Sequence, residues 1–245
     1  MNINVVKTKK FVPGKSSIDD LLREIPKLKD KSIVAISSKV LSICEGNIVD
    51  RSTIDHDLLV SKLADTSLEP VRRSKNGMIL TQVGNVLVES AGVDESNADG
   101  YYILLPKDPY KSSKNIWSEL RKRDGIKHLG VIVTDSHSVP RRKGAIGFAI
   151  ASYGFKAVKE YLHEKDIFGR KFKFTASDVS DSLAAVSTLE MGEGKEGTPI
   201  TIITDTGNIE FFNKTISLRA VKKYSWIHPD LDVYAPLLKS SLWKK

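Results

Sequence analysis

The residues of this chain best suited to chemistry lie between Gly130 and Gly147, in GVIVTDSHSVPRRKGAIG. Asp135 and Ser136 offer a carboxylate and a hydroxyl, oxygen donors of the kind that hold a hard cation such as Mg or Mn. A turn-rich segment with Ser138 and Pro140 leads to Arg141, Arg142 and Lys143, a run of cations suited to phosphate, and then to Gly144 and Gly147. Together these residues could hold a metal-bound polyphosphate. The plainer reading is a buried strand that ends in a turn with solvated charges after it; short motifs have many false positives.

A second candidate is Ser90 to Gly100, SAGVDESNADG, dense in oxygen ligands and small residues, with an Asx-rich surface loop as its alternative. Ser37-Ser38-Lys39 offers hydroxyls and a cation to an anion, or is simply a turn. The five histidines, His56, His128, His137, His163 and His228, show no paired metal-ligand spacing, and only His137 falls near the candidate stretch. No G-x-S-x-G, H-E-x-x-H, C-x-x-C or Walker A pattern occurs, which removes the serine hydrolase, zinc and P-loop readings.

The elements that must carry these residues can be read from periodicity. Val131-Ile132-Val133 is short, apolar and β-branched, as a strand buried on both faces is, and it stops at Thr134-Asp135-Ser136. In open α/β sheets ligands lie beyond the carboxyl ends of such strands. Further strands are expected at 2–7, 32–37, 43–49 (with a bend at Gly46), 101–105, 149–154 and 199–203, and a hairpin over 78–89 around Gly84-Asn85. Helices are expected after Ser17, over 54–66, from Ser112 or Ser113 through Leu120, and from Ser180 to about Met191. Asp166 to Arg170 reads as a tight structural turn, and Trp226 with Leu231 to Leu242 as an arm packed on the rest. So many β-runs with few helices between them exclude a regular βαβ repeat and predict a mixed sheet in an α/β or α+β fold.

A chain of 245 residues, 40% hydrophobic and 28% charged, can bury a sizeable core. No apolar run reaches the ~18 residues of a membrane span, and the first residues lack the apolar core of a secretory signal. Cys44 is the sole cysteine, so no internal disulfide can form, and the protein is read as cytoplasmic. The net charge of +8 favours anionic partners such as nucleotides. Its clusters, Lys7/Lys9/Lys10, Arg72/Arg73/Lys75, Arg121/Lys122/Arg123 and Lys244/Lys245, carry no interleaved aromatics for base stacking, so nucleic acid is not expected as a partner.

AGVDESNADGYY, GVIVTDS with its following Pro, DIFGR, DSLAA and MGEG, in that order over roughly residues 1–205, resemble the gamma-glutamyl ligase family of the deazaflavin coenzyme F-420. SICEG at 42–46 and DESNADGYY at 94–102 are most similar to the branch labelled putative folate-metabolism gamma-glutamate ligase. The resemblance implies a mixed α/β fold of two intertwined lobes over 1–205, with 206–245 as a C-terminal arm, and a homodimer. It implies GTP (or ATP) with Mn or Mg, and L-glutamate joined to a small carboxylate acceptor, deazaflavin or folate-like. Carried over by motif, Asp94, Asp135, Ser136 and Glu193 are metal-side residues, and Ser38, Lys39, Asn97, Met191, Gly192, Gly194 and Thr198 fall on nucleotide-contacting positions. Asp135 and Arg141 would then serve catalysis, the first through metal and the second by offsetting phosphoryl charge. The chain departs from the family pattern at Ile43, in place of a lysine, and at His137-Ser138-Val139-Pro140, in place of an aromatic-Gly-Arg-Pro turn.

Overall fold

The computed structural model describes residues 1–68 and 77–244; Arg72, Arg73, Lys75 and Lys245 of the expected charge clusters lie outside them. The first half of the chain forms β1 (Asn2–Val6), α1 (Ile18–Glu24), β2 (Ser32–Ser37), α2 (Ser38–Glu45), β3 (Ile48–Asp50), α3 (His56–Leu63), β4 (Thr66–Leu68), β5 (Leu80–Val83), β6 (Val86–Glu89), β7 (Tyr101–Ile103) and α4 (Pro109–Asp124). Then come β8 (Leu129–Ser138), β9 (Ala145–Tyr153), β10 (Val158–Glu160), β11 (Ala176–Asp178), α5 (Val179–Met191), β12 (Ile200–Thr204), α6 (Leu218–Ser225), α7 (Ala235–Leu238) and β13 (Trp243–Lys244).

The central sheet runs β1-β12-β2-β8-β9. Only β2 and β8 are parallel, paired from Ser32↔Leu129 to Ser37↔Thr134, so the sheet is mixed, as the element pattern requires. Both faces of these two strands are covered. Val34, Ile36, Val131 and Val133 pack with Leu21, Leu41, Ile116, Trp117 and Leu120 from α1, α2 and α4. Ile33, Ala35 and Ile132 pack with Leu183 and Ala184 of α5 on the opposite side. That two-sided burial is why SIVAIS and LGVIV read as unbroken apolar runs. The β5–β6 hairpin lays Val88 against Phe148 and Ile150 of β9.

Several boundaries differ from expectation. The strand expected over 43–49 is in fact the end of helix α2, which Gly46 terminates at φ 69, followed by β3. Leu41, Ile43 and Cys44 are buried there, so tertiary packing overrides the β-branched local signal. Helix α4 begins at Pro109 rather than at Ser112 or Ser113, because the Asp108 side chain accepts from Lys111 N–H and proline suits the first helical position. Asp178, not Ser180, caps α5, accepting from Asp181 N–H. Strand β8 does not stop at Ser136 but pairs with β9 down to Ser138↔Ala145, after a register shift at Val133/Thr134. The Asp166 turn is structural: its carboxylate accepts from Phe168 and Arg170 N–H, both at 2.9 Å. Beyond residue 205, Val221 enters the main core and Trp226 Nε1 donates to the Tyr110 hydroxyl at 2.9 Å.

Candidate active-site groove

Strands β2 and β8 end side by side, and a groove of about 740 Å³ opens beyond their carboxyl ends. Its walls are Thr8–Pro13, Lys39, Val40 and Ile43 of α2, Asp94, Asn97 and Asp99 of the Asx-rich loop, Thr134–Ser136, and the segment from Met191 to Pro199. Most of the sequence-separated candidates therefore meet at one groove, which Ser38 and Arg141 do not line.

Asp94 is fixed by its backbone, which exchanges hydrogen bonds with Ile103 at 2.9 and 2.8 Å. The loop then folds back through Asn97 at φ 54 and Asp99 at φ 48, left-handed positions that Asn and Asp tolerate better than other non-glycine residues. Asp94 Oδ1 accepts from Ser96 N–H at 2.7 Å, which leaves Oδ2 to Lys39 Nζ at 2.6 Å. Lys39 also donates to Ser96 Oγ at 2.7 Å. Asn97 Nδ2 donates to Gly194 O at 3.1 Å and so ties this loop to the one after α5.

Asp135 sits two residues past the register shift in β8. Ser136 N–H donates to its Oδ1 at 2.8 Å, and the Ser38 hydroxyl also bonds to it. Burial pushes the Asp135 carboxyl up to about 6, and the like charge of Asp94 adds to the shift while Lys39 opposes it. Ser38 is itself buried and its hydroxyl is spent on Asp135, so it serves the groove through that carboxylate rather than by lining it.

The third wall depends on a glycine. Ser136 pairs across the hairpin with Gly147, and a Cβ at Gly147 would lie 1.7 Å from Thr188 Oγ1 of α5. This close approach lets the end of α5 deliver the Gly-rich loop to the strand ends. Ser136 Oγ donates to Glu193 Oε2 at 3.2 Å, and Thr198 Oγ1 closes the loop on Met191 O at 2.7 Å. Gly192, at φ 76, packs directly beneath the Glu196 carboxylate, which accepts from Gly194 N–H at 2.8 Å.

Among the described residues no three His, Cys, Asp or Glu side chains converge as a closed metal cage. The donor chemistry nevertheless fits a hard divalent ion shared with a substrate. Mg is usually held by one or two carboxylates, with phosphate oxygens and water completing the shell. Asp94 and Asp135 are two such carboxylates, the charge of the first adding to the raised proton affinity of the second, and Ser136 adds a hydroxyl.

Arg141 is not brought to the groove. Three further residues of strand after Asp135 carry the chain on the order of 10 Å away. Arg141, Arg142 and Lys143 stand exposed at the tip of the β8–β9 hairpin, with Arg141 at φ 63. The cations that line the groove are Lys9, Lys10, Lys39 and Lys195. Of these the sequence reading singled out only Lys39 as a site residue. Lys9 and Lys10 read in the sequence as surface charge. His137 turns from the groove and stacks on Phe148 at 4.5 Å, while Ile43 gives the groove an apolar wall.

Residues 6–205 match the family model described as F420-0:Gamma-glutamyl ligase. The chain is 34% identical over 211 residues to the coenzyme F420:L-glutamate ligase of Methanocaldococcus jannaschii, covering 80% of this chain and 84% of that protein. It is 32% identical over 209 residues to the ligase of the same name from Methanopyrus kandleri, with 79% and 82% covered. The chain belongs to the F420-0:gamma-glutamyl ligase family.

Proposed function

We propose that this member of the gamma-glutamyl ligase family is a nucleotide- and divalent-metal-dependent ligase that joins L-glutamate to a small carboxylate acceptor through an acyl phosphate. The observation that carries this reading is the placement of Asp94, Lys39 and Asp135 at the carboxyl ends of the two parallel strands, facing the Met191–Thr198 loop. The L-glutamate follows from the names of the relatives. GTP (or ATP), Mn or Mg, and a deazaflavin or folate-like acceptor belong to the same proposal, as do a homodimer and a cytoplasmic location. Among the described residues no helix is long and apolar enough to cross a membrane.

The chemistry asks for positioning and charge, not for an activated protein nucleophile. The acceptor carboxylate attacks the terminal phosphorus of the nucleotide, whose bond to the bridging oxygen breaks as the nucleoside diphosphate leaves; the glutamate amine then attacks the acyl carbon, gives up a proton, and inorganic phosphate leaves. A bound divalent metal would supply charge neutralisation of the polyphosphate. Asp94 and Asp135 would hold that metal, with the Ser136 hydroxyl and Glu193 beside it. Lys39, released from Asp94, would move its ammonium to phosphate oxygens, and Lys10 and Lys195 would add positive potential along the groove. Asn97 would fix the loop that closes over the nucleotide.

The test is product formation: purified protein with Mn, L-glutamate, GTP or ATP and each acceptor, read by mass spectrometry of the glutamylated product. A second reading, a non-catalytic nucleotide- or metabolite-binding protein on the same scaffold, is favoured by Ile43, which puts an apolar side chain on the groove wall. It requires saturable nucleotide binding with no glutamylated product from any acceptor.

A further inference from the structure

A second cavity, of about 200 Å³, lies along the outer edge of β9, the last strand of the central sheet, and none of its lining residues is shared with the groove. On the α5 side it meets Asp178, Ser180 and Asp181; on the opposite side, Tyr110 and Trp226. These two rings meet edge to face at 5.7 Å. Phe148 and Ile150 of β9, with Leu87 of the β5–β6 hairpin, make a further apolar wall.

Two polar groups there have unused capacity. Asp181 Oδ1 accepts from Ala149 N–H at 2.9 Å, on the free edge of the strand, and the other carboxylate oxygen remains available. Ser152 is 2% exposed and lines the cavity, yet its hydroxyl has no hydrogen-bond partner among the described residues. Its cross-strand partner Ile132 is buried under α5 with Leu183 and Ala184, and directly opposed residues share a face, so Ser152 projects toward the start of α5. Because Ser152 lines the cavity, its hydroxyl can take a ligand atom as a hydrogen-bond partner.

We propose that this cavity binds a small organic ammonium ion, a primary amine on a short apolar body, held by Asp181 and Ser152. The sign of the charge follows from the two carboxylates on the α5 side, which oppose an anion. Burial and the nearby Asp178 raise the proton affinity of Asp181, and a bound cation would relieve both. The walls decide between an inorganic ion and an organic one. Among the described residues two carboxylates meet the cavity, with Asn85, His137, Ser180 and Ser225 as its other polar groups, and the side chains of Val86, Leu87, Tyr110, Phe148, Ile150 and Trp226 supply the apolar wall that suits hydrocarbon next to the charge.

The test is isothermal titration of the full chain with isopentylamine hydrochloride, with isopentanol and isovalerate as neutral and anionic counterparts. In parallel the Ala149 amide is followed by NMR. Saturable binding of the amine alone, with a shift at Ala149, is expected. Asp181→Asn keeps an oxygen for the Ala149 N–H but removes the charge, and Ser152→Ala removes the hydroxyl. Each should weaken the amine about ten-fold or more, the loss of one charge-assisted hydrogen bond, while circular dichroism stays unchanged. Absence of saturable binding, equal binding of the alcohol or the acid, or undiminished affinity in Ser152→Ala together with a folded Asp181→Asn would overturn the proposal.

Discussion

Lys39 Nζ lies 2.6 Å from Asp94 Oδ2, and so a cation from the first turn of α2 neutralises one of the carboxylates that line the groove with Asp135. The pair joins elements far apart in the chain: a helix that springs from the end of β2 and a loop that bonds back to β7. It keeps a doubly acidic groove tolerable without metal, and it stores an ammonium where phosphate oxygens would arrive.

Replacing Lys39 with Met should therefore have two separable effects. The metal-free protein loses about 1 kcal/mol or less, since both partners are partly solvated and exposed pairs contribute little. Nucleotide affinity falls more, because the ammonium has no substitute at that point. Chemical denaturation without ligand, set beside titration with Mn·GTP, separates the two; equal losses in both would argue against the displaced-cation role.

The Asp135 carboxyl gives the metal-free protein a characteristic pH dependence. Its folded value of about 6 lies above the ordinary carboxylate value, so the folded state holds the proton more tightly than the unfolded one. That contribution is fully present below about pH 4 and is lost as pH rises through 6. Denaturant midpoints of wild type and Asp135→Asn between pH 4 and 8 should diverge upward in pH, with the variant becoming the more stable protein at neutral pH. A parallel pair of curves would contradict the burial of this carboxylate.

Gly147→Ala should move α5. The added methyl meets Thr188, whose β-branched side chain on a helix has little freedom to turn aside. A cost of about 1–3 kcal/mol is expected, with a weakened nucleotide response because Glu193 and the Gly-rich loop ride on the same helix. Retained stability and nucleotide binding would show that the hairpin and α5 can separate without consequence.

Arg141→Ala should leave turnover and nucleotide binding unchanged and shift stability by no more than about 0.5 kcal/mol, as for an exposed tip residue. Steady-state kinetics with the Arg141, Arg142 and Lys143 alanine variants would check this, and loss of turnover in any of them would restore a role for the hairpin tip.

Much of this was legible in the chain itself. Two-sided burial leaves unbroken β-branched runs, so β2, β8 and β12 could be read, and with them the strand ends at which the groove opens. Oxygen-rich DESNADG announced itself by composition, whereas MGEG stood out only through the family resemblance. Helix α2 could not be read at all: Ser37-Ser38-Lys39 looks like a turn, and Ile43 and Cys44 satisfy a core that only the folded chain assembles. Nor could the reach of β8: Ser136 to Ser138 look like a turn, and only pairing with Ala145 to Gly147 makes them strand. That misreading is what placed Arg141 at the phosphate. The opposite error hid Lys10 and Lys195, since a lysine on a folded-back segment looks the same in sequence as one in solvent.

The most direct test is the melting temperature of the purified protein with GTP, ATP or neither, each with and without Mn, in wild type and Asp135→Asn. A ligand that binds only the folded state raises the midpoint by mass action. The expected result is a metal-dependent rise with one nucleotide in the wild type that is absent in Asp135→Asn. A rise that survives the substitution, or no rise with either nucleotide, would contradict a metal–nucleotide site built on Asp135.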